Sequence, residues 1–338
     1  MNAGTYMAEP SDACFAAVAQ PQCPDVTLLL PLVARREMAC AGDRWVSSLM
    51  SRLEAMYNVR PNGTDWQTAI EPRGHRRFDA MLPTAHGACK LSTFGRGDGA
   101  KRLCGLETLP RCAVLSIGSR GDTKFEQHIV KRTNCTVDIL DCTVPRCGGK
   151  RGKWPPEMRT GRVRYHRVCM DSRDHTEMSA KIRQDWKQAS ESRFEFRTYA
   201  SILSRLRLGS VSAMKMDIEG FEFSVLEPML RQRSATLPTQ IAFELHWQTQ
   251  MTSLSWHGRA KTAGEIALFA RALYDAGYRA LSRDDNRRCP HCSEFNVVRL
   301  FCPPPALPLE PQVAAPDFEA DARKSTWGTG DPGADCDG

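Results

Sequence analysis

The segment Val211 to Leu226, VSAMKMDIEGFEFSVL, constrains the fold of this chain more than any other. An apolar run ends in Lys215, Asp217 and Glu219, turns at Gly220 and resumes with Phe221, Val225 and Leu226. Read as a strand, Lys215, Asp217 and Glu219 alternate with Met216 and Ile218, so three ionisable side chains share one face near the strand's C-terminal end. Open α/β sheets bind their ligands outside the carboxyl ends of the strands. A strand, turn and helix with charge at the turn therefore predicts a fold class and a location for chemistry together.

The same unit recurs along the chain. Cys112 to Ile117, CAVLSI, reads as a buried parallel strand, broken by Gly118-Ser119-Arg120-Gly121-Asp122. Phe125, Ile129 and Val130 then predict a helix that Asp122 can cap. A second strand, Thr136 to Leu140, ends at Asp141, about twenty residues past Gly121, where a carboxylate can accept hydrogen bonds from ribose hydroxyls. Val163 to Cys169 reads as a third strand, and Thr198 opens a helix with Tyr199, Ile202, Leu203 and Leu206 on one face and Gly209 at its end. A fifth strand, Gln240 to His246, places Glu244 and His246 on one face. Ile266, Phe269, Ala270 and Leu273 form an amphipathic helix closed by Gly277, and Tyr278 to Ser282 and Glu294 to Phe301 close the sheet as an antiparallel return. Alternating strands and helices give one α/β domain: a mostly parallel sheet, helices on both faces and a C-terminal antiparallel hairpin.

Around this domain, residues 1–42 lack sustained periodicity and read as a loosely ordered lead-in. Asp43 is placed to cap a helix through Trp45, Val46, Leu49, Leu53 and Met56. The Gly- and Arg-rich stretch up to Lys101 reads as loop with short elements, its basic residues solvated. Residues 145–162 form a basic, Pro/Gly-rich insertion, and residues 303–338 a disordered Pro- and acid-rich tail.

A formal net charge of +7, with no Arg/aromatic platform or zinc-finger spacing, argues against a dedicated nucleic-acid binder. No segment approaches the roughly 20 apolar residues of a membrane span. Val26 to Ala34 is short, interrupted by Pro31 and lacks a basic region upstream, so it is not read as a signal peptide. That leans toward the cytoplasm, whereas the 14 cysteines and the sequons Asn62-Gly63-Thr64 and Asn134-Cys135-Thr136 lean the other way. Most cysteines are expected as buried free thiols, and Cys289-x-x-Cys292 as a hairpin-end disulfide or simple packing rather than a zinc site.

LSIGSRGD (Leu115 to Asp122), ILDCT (Ile139 to Thr143), KMDIEGFEFSVL (Lys215 to Leu226), FELHW (Phe243 to Trp247) and DDNRRCPHCSEFNVV (Asp284 to Val298), in this order, resemble the methyltransferase-like domain related to the FkbM methyltransferases. The resemblance covers roughly residues 105–302. It implies a Rossmann-like, seven-stranded, S-adenosyl-L-methionine-dependent methyltransferase of class I, acting on a hydroxyl of a small molecule or glycan. By position it implies that Ser116, Gly118, Ser119 and Gly121 flank the methionine part of the cofactor, that Asp141 holds its ribose, and that Asp217 lies near the sulfonium. The sequence departs from the common acid-then-GxGxG pattern: Ser116 stands before Gly118-x-x-Gly121.

Methylation of a hydroxyl requires two substrates oriented in line and a proton removed. His246, Glu219 and Glu222 are the candidates for that work. His246 is favoured as base because its unperturbed pKa lies near neutrality, against its reading as a hydrogen-bonded structural histidine. Glu219 reads equally as a brace of the Gly220 turn, and Glu222 as a solvent-facing residue of the first helical turn. Asp217, Glu244 and His246 are also metal-compatible donors, but no compact ligand motif accompanies them, and no metal is assigned. Rival classes are a non-catalytic module that binds the same cofactor and an N-methyltransferase acting on a protein. An NAD-dependent oxidoreductase would need a GxGxxG fingerprint after the first strand, which the sequence lacks there.

Overall fold

A computed structural model of the chain describes residues 26, 29–58, 70–144, 158–159, 161–177, 194–232, 236–248 and 260–302. The basic insertion at 145–157 and the tail at 303–338 lie outside the described residues, as does the sequon at Asn62. In chain order the elements are helix α1 (Leu32–Met56), strands β1 (Leu91–Phe94), β2 (Lys101–Cys104) and β3 (Cys112–Ile117), helix α2 (Lys124–Arg132), and strands β4 (Cys135–Leu140) and β5 (Val163–His166). Three short strands follow, β6 (Cys169–Met170), β7 (His175–Glu177) and β8 (Phe194–Arg197). Helix α3 (Tyr199–Leu206), strand β9 (Ala213–Met216), helix α4 (Glu222–Arg231), strand β10 (Gln240–His246), helix α5 (Ala263–Asp275) and the strands β11 (Tyr278–Asp285) and β12 (Cys292–Arg299) complete the domain.

The principal sheet has seven strands in the order β11-β12-β10-β9-β3-β4-β5. From β5 across to β10 every pairing is parallel, and β12 runs antiparallel to both β10 and β11. This is the Rossmann-like architecture expected, closing hairpin included. The register sets β3 and β9 side by side, Val114 opposite Ala213 and Ile117 opposite Met216, so the turns after both strands emerge together.

Helices cover both faces because the strands alternate. Met214 and Met216 of β9 and Ile241, Phe243 and Leu245 of β10 face the core built with α3, α4 and α5. Ala213 and Ala242 face the opposite core, made with Phe125, Ile129 and Val130 of α2 and with Phe94 and Leu103 of the β1/β2 hairpin. Each buried large apolar side chain contributes about 1.5–3 kcal/mol by leaving water, so the two cores fix the register strongly.

Several boundaries differ from expectation. Helix α1 begins at Leu32, not Asp43; Asp43 lies within it and accepts a short hydrogen bond from the Tyr274 hydroxyl. Met38, Ala39 and Trp45 along α1 are buried against the sheet domain, and tertiary packing of this kind extends the helix past its local signals. The α3 helix stops at Arg207, which takes the left-handed conformation (φ 53°), before Gly209 is reached. The expected third strand splits at His166, and its last residue, Cys169, joins the separate β6/β8/β7 sheet. By contrast Thr198 caps α3 as expected, Asp122 accepts from the Lys124 N–H at 3.1 Å, and Gly277 (φ 91°) closes α5 where a Cβ would meet the Phe301 carbonyl.

The expectation of free thiols is overturned. Cys89 pairs with Cys104, Cys112 with Cys135, Cys142 with Cys169 and Cys289 with Cys292, and Cys302 is also disulfide-bonded. Cys112 and Cys135 are the first residues of β3 and β4 and stand directly opposite in the parallel pairing. Cys289–Cys292 closes the hairpin turn, as one of the two readings of that pair had it. The partners are 15, 23 and 27 residues apart in the other three bridges, and tertiary pairing, not a local motif, brings them together.

Candidate functional site

The carboxyl ends of β3, β4, β9 and β10 form one edge, and the turn after β3 lies at its centre. Gly118 and Gly121 both have φ 77°, and Arg120 between them has φ 49°. A Cβ on Gly118 would stand 1.9 Å from the Asp217 carbonyl oxygen, so glycine is required by the approach of the two turns as well as by its dihedral. The Gly118 N–H donates to the Leu140 carbonyl at 3.0 Å and the Asp217 N–H to the Ile117 carbonyl at 3.1 Å, which ties three strand ends together.

Asp141 is buried beneath this turn. One carboxylate oxygen accepts from the Arg120 N–H at 2.7 Å and the Ser119 hydroxyl at 3.3 Å. The other accepts from the Thr143 N–H at 2.9 Å and the Thr143 hydroxyl at 2.5 Å. Ser119, Gly121 and Asp141 thus come together, but the carboxylate's acceptor capacity of about four bonds is met within the protein, two of them by hydroxyls that can rotate away. Ser116 is not at this edge. It is fully buried within β3 and donates a short hydrogen bond to Glu126 of α2, whose carboxyl is pushed up by burial. The expected cofactor contact at Ser116 is therefore corrected to a strut between sheet and helix.

The opening cluster of charges is also rearranged. Strand β9 ends at Met216, so Asp217 and Glu219 belong to the turn and the expected common face is lost. The Lys215 ammonium turns back and donates to the Gly118 carbonyl. Asp217 is met by Lys101 of β2 at 3.3 Å, and the same ammonium contacts Glu294 of β12 at 2.5 Å. Lys101 is only 2 % exposed. Burial opposes its charge, yet Asp217 and Glu294 outweigh burial and raise its pKa, while burial alone would raise Asp217 and is overcome by Lys101, Lys215 and His246, which hold that carboxyl low. Glu294 is pushed up to about 7, burial exceeding the help it receives from Lys101. The carboxylates of Asp217, Glu244 and Glu294 lie within 4.8 Å of one another. Lys101 already supplies the positive charge that a cation would bring there.

Glu222 is wholly buried, contrary to the solvent-facing reading. Its carboxylate accepts from the Ile218 N–H at 3.0 Å and from the Gly220 N–H at 3.1 Å, and His246 Nδ1 lies 3.2 Å from it. It braces the turn from the first turn of α4, where a carboxylate also meets the positive end of the helix dipole. His246 Nε2 points between Glu219 at 3.8 Å and Glu244 at 3.9 Å. Burial would lower the His246 pKa, but Glu222, Glu244 and Asp217 push it up to about 10. The three acids thus favour the protonated ring, which weighs against His246 as the free base.

Glu219 is the exception in this charged group. Its φ of 57° lifts it out of the turn and its side chain is 49 % exposed, with Arg120 at 3.6 Å on one side and His246 on the other. Partial burial raises its pKa against the opposing pull of His246. Sequence reasoning found Glu219, Glu222, His246, Asp217 and Asp141 but missed Lys101 and Glu294. Lys101 lay in a stretch read as solvated loop; the alternation Lys101, Leu103 against Arg102 was the available signal of a half-buried strand.

The doubly wound sheet with a glycine turn and acid-lined strand ends is the framework of a nucleotide-cofactor enzyme. A family model described as a methyltransferase domain matches residues 51–299, and the chain belongs to that family. Its cofactor is S-adenosyl-L-methionine. The carboxylates of Asp141 and Asp217, at the strand ends beside the glycine turn, are of a chemistry that suits a ribose and a cationic centre. No curated protein matches the chain. Similar solved structures include a Methanococcus jannaschii fibrillarin pre-rRNA processing protein (12 % identity, 63 % of this chain and 84 % of that one, TM-score 0.31). Others are an O-methyltransferase family protein from Burkholderia thailandensis (10 %, 58 % and 53 %, TM-score 0.32) and a S-adenosylmethionine-dependent methyltransferase, described as putative, from Listeria monocytogenes (10 %, 56 % and 91 %, TM-score 0.33). The assignment rests on the family match.

Proposed function

We propose that this chain methylates a hydroxyl oxygen of a small molecule or glycan, with Glu219 as the group that receives the hydroxyl proton. The supporting observation is the position of Glu219: a half-exposed carboxylate of raised pKa, standing between the Gly118–Gly121 turn and the His246 ring. S-adenosyl-L-methionine supplies an electrophilic methyl group on a sulfonium. Asp141 would hold the ribose of that cofactor, its carboxylate freed by rotation of the Ser119 and Thr143 hydroxyls. Asp217 contributes negative potential toward the cationic donor, and Lys101 keeps it ionised by holding its pKa low. Glu222 and His246 fix the Ile218–Gly220 turn, so that Glu219 keeps its orientation toward an acceptor hydroxyl.

A base must be within hydrogen-bond reach of the proton it takes and have a pKa near the working pH. Glu219 is shifted upward, toward that range, and is half-exposed to an acceptor, whereas Asp217 is shifted away from it and the three acids around His246 favour its protonated form. Saturation of Asp141 by its own loop favours one other reading, a domain that binds the cofactor weakly and transfers nothing. Calorimetric titration with S-adenosyl-L-methionine and its demethylated product, followed by turnover with methyl-labelled cofactor on hydroxyl-bearing extracts, separates the two. Labelled product lost in Glu219→Gln with cofactor binding retained supports the proposal; binding without turnover in the unaltered chain overturns it.

A further inference from the structure

The sequon Asn134-Cys135-Thr136 has no part in methyl transfer. Asn134 and Thr136 are both exposed, while Cys135 between them is buried, so the two sequon side chains project from the same side of the extended backbone. Asn134 lies in the short turn between α2 and β4, immediately before the strand, and outside the ladder that begins with the Cys112–Cys135 pair. The candidate site occupies the other end of that strand. Six residues of β4 separate the two, about 20 Å at strand rise, so a large group on Asn134 leaves the carboxyl edge open.

The second, independent observation is the state of the cysteines. Four bridges join described residues, on β2, between β3 and β4, between the end of β4 and β6, and in the β11/β12 turn. Such bridges persist where the medium is oxidising and are rare in the cytosol. One of them holds the central residue of the sequon itself.

We propose that Asn134 is an N-glycosylation site and that the chain acquires its disulfides in the same oxidising compartment. In the transfer, Asn134 Nδ2 forms a bond to C1 of the first sugar as the C1–oxygen bond to a polyisoprenyl-pyrophosphate donor breaks. Nδ2 gives up one proton, and the bonding electrons leave with the lipid pyrophosphate. Each bridge forms as two thiols lose two protons and two electrons to a thiol–disulfide oxidoreductase of that compartment. This conclusion reverses the slight preference for the cytoplasm that the sequence alone suggested.

The test recovers the full chain from the cells that make it, with free thiols alkylated before lysis, and maps peptides before and after enzymatic release of N-glycans. The expected result is Cys112 and Cys135 linked and unalkylated, with Asn134 converted to aspartate only on glycan release. Asn134→Gln and Thr136→Ala lose the glycan completely, and Thr136→Ser keeps it. An unmodified Asn134 peptide in the native chain, or alkylated Cys112 and Cys135, overturns the proposal.

Discussion

On the β3–β4 side of the strand-end edge, Asp141 takes its four hydrogen bonds from Ser119, Arg120 and Thr143, in its own turn and the turn before it. On the β9–β10–β12 side, Asp217 and Glu294 take theirs from Lys101, which is 116 and 193 residues away in sequence. The first side is held by neutral donors at short range. The second is held by the buried Lys101 ammonium, which alone among the described residues bonds both acids, with Lys215 and His246 acting on Asp217 through space, so loss of Lys101 removes the largest compensating charge. The β3–β4 half of the edge is thus held by its own turns, and the β9–β10–β12 half is an electrostatic assembly.

The largest effect should come from breaking that assembly. Lys101→Met strands Asp217 and Glu294 beside Glu244 and is expected to cost about 3 kcal/mol of stability, the lower end for a broken buried pair because both acids keep some exposure. Urea denaturation measures it, and adding Asp217→Asn and Glu294→Gln should recover part of the loss. A Lys101→Met chain as stable as the parent would mean that the β9–β10–β12 side is no more charge-dependent than the other.

Next is Glu219→Gln, expected to lower kcat by about a hundredfold with little change in cofactor affinity, the usual scale for loss of a proton-transfer group. A KM effect alone would make Glu219 a contact residue. Asp141→Ala should weaken S-adenosyl-L-methionine binding about tenfold, the equivalent of one charge-assisted hydrogen bond. Unchanged affinity by calorimetry would show that Asp141 serves its loop only.

The smallest effect per step is the pH dependence of His246. Its pKa is raised to about 10 from 6.5, so its contribution to stability is complete below the unfolded value of 6.5 and is lost as pH rises through about 10. The slope between those limits is at most about 1.4 kcal/mol per pH unit for one proton. Chemical denaturation from pH 7 to pH 10 should show this decline, flattened in His246→Gln; an equal decline in both would place the imidazolium elsewhere.

The legible parts of the molecule are those set by neighbours in sequence. Alternation in Gln240–His246, the glycine turn after Ile117 and the cap at Thr198 were each visible, because strand period, positive φ and capping act within a few residues. Glu222 was visible as an acid in a first helical turn, but not its complete burial, because the residue that closes over it, His246, comes from the next strand. The cysteines were misjudged for the same reason: Cys112 and Cys135 meet only when β3 and β4 pair.

The sequence by itself determined a doubly wound sheet, its closing hairpin and the edge at which Gly118, Asp141 and Asp217 would gather. Hydrophobic period and backbone dihedral preferences are local, so they survive being read one residue after another. Tertiary structure alone decided that Lys101 meets Asp217, that three acids surround His246, that Ser116 is a strut and that Cys112 pairs with Cys135 and Cys142 with Cys169. Coulomb energy and desolvation depend on distance and burial in three dimensions, and neither is written in the spacing along the chain.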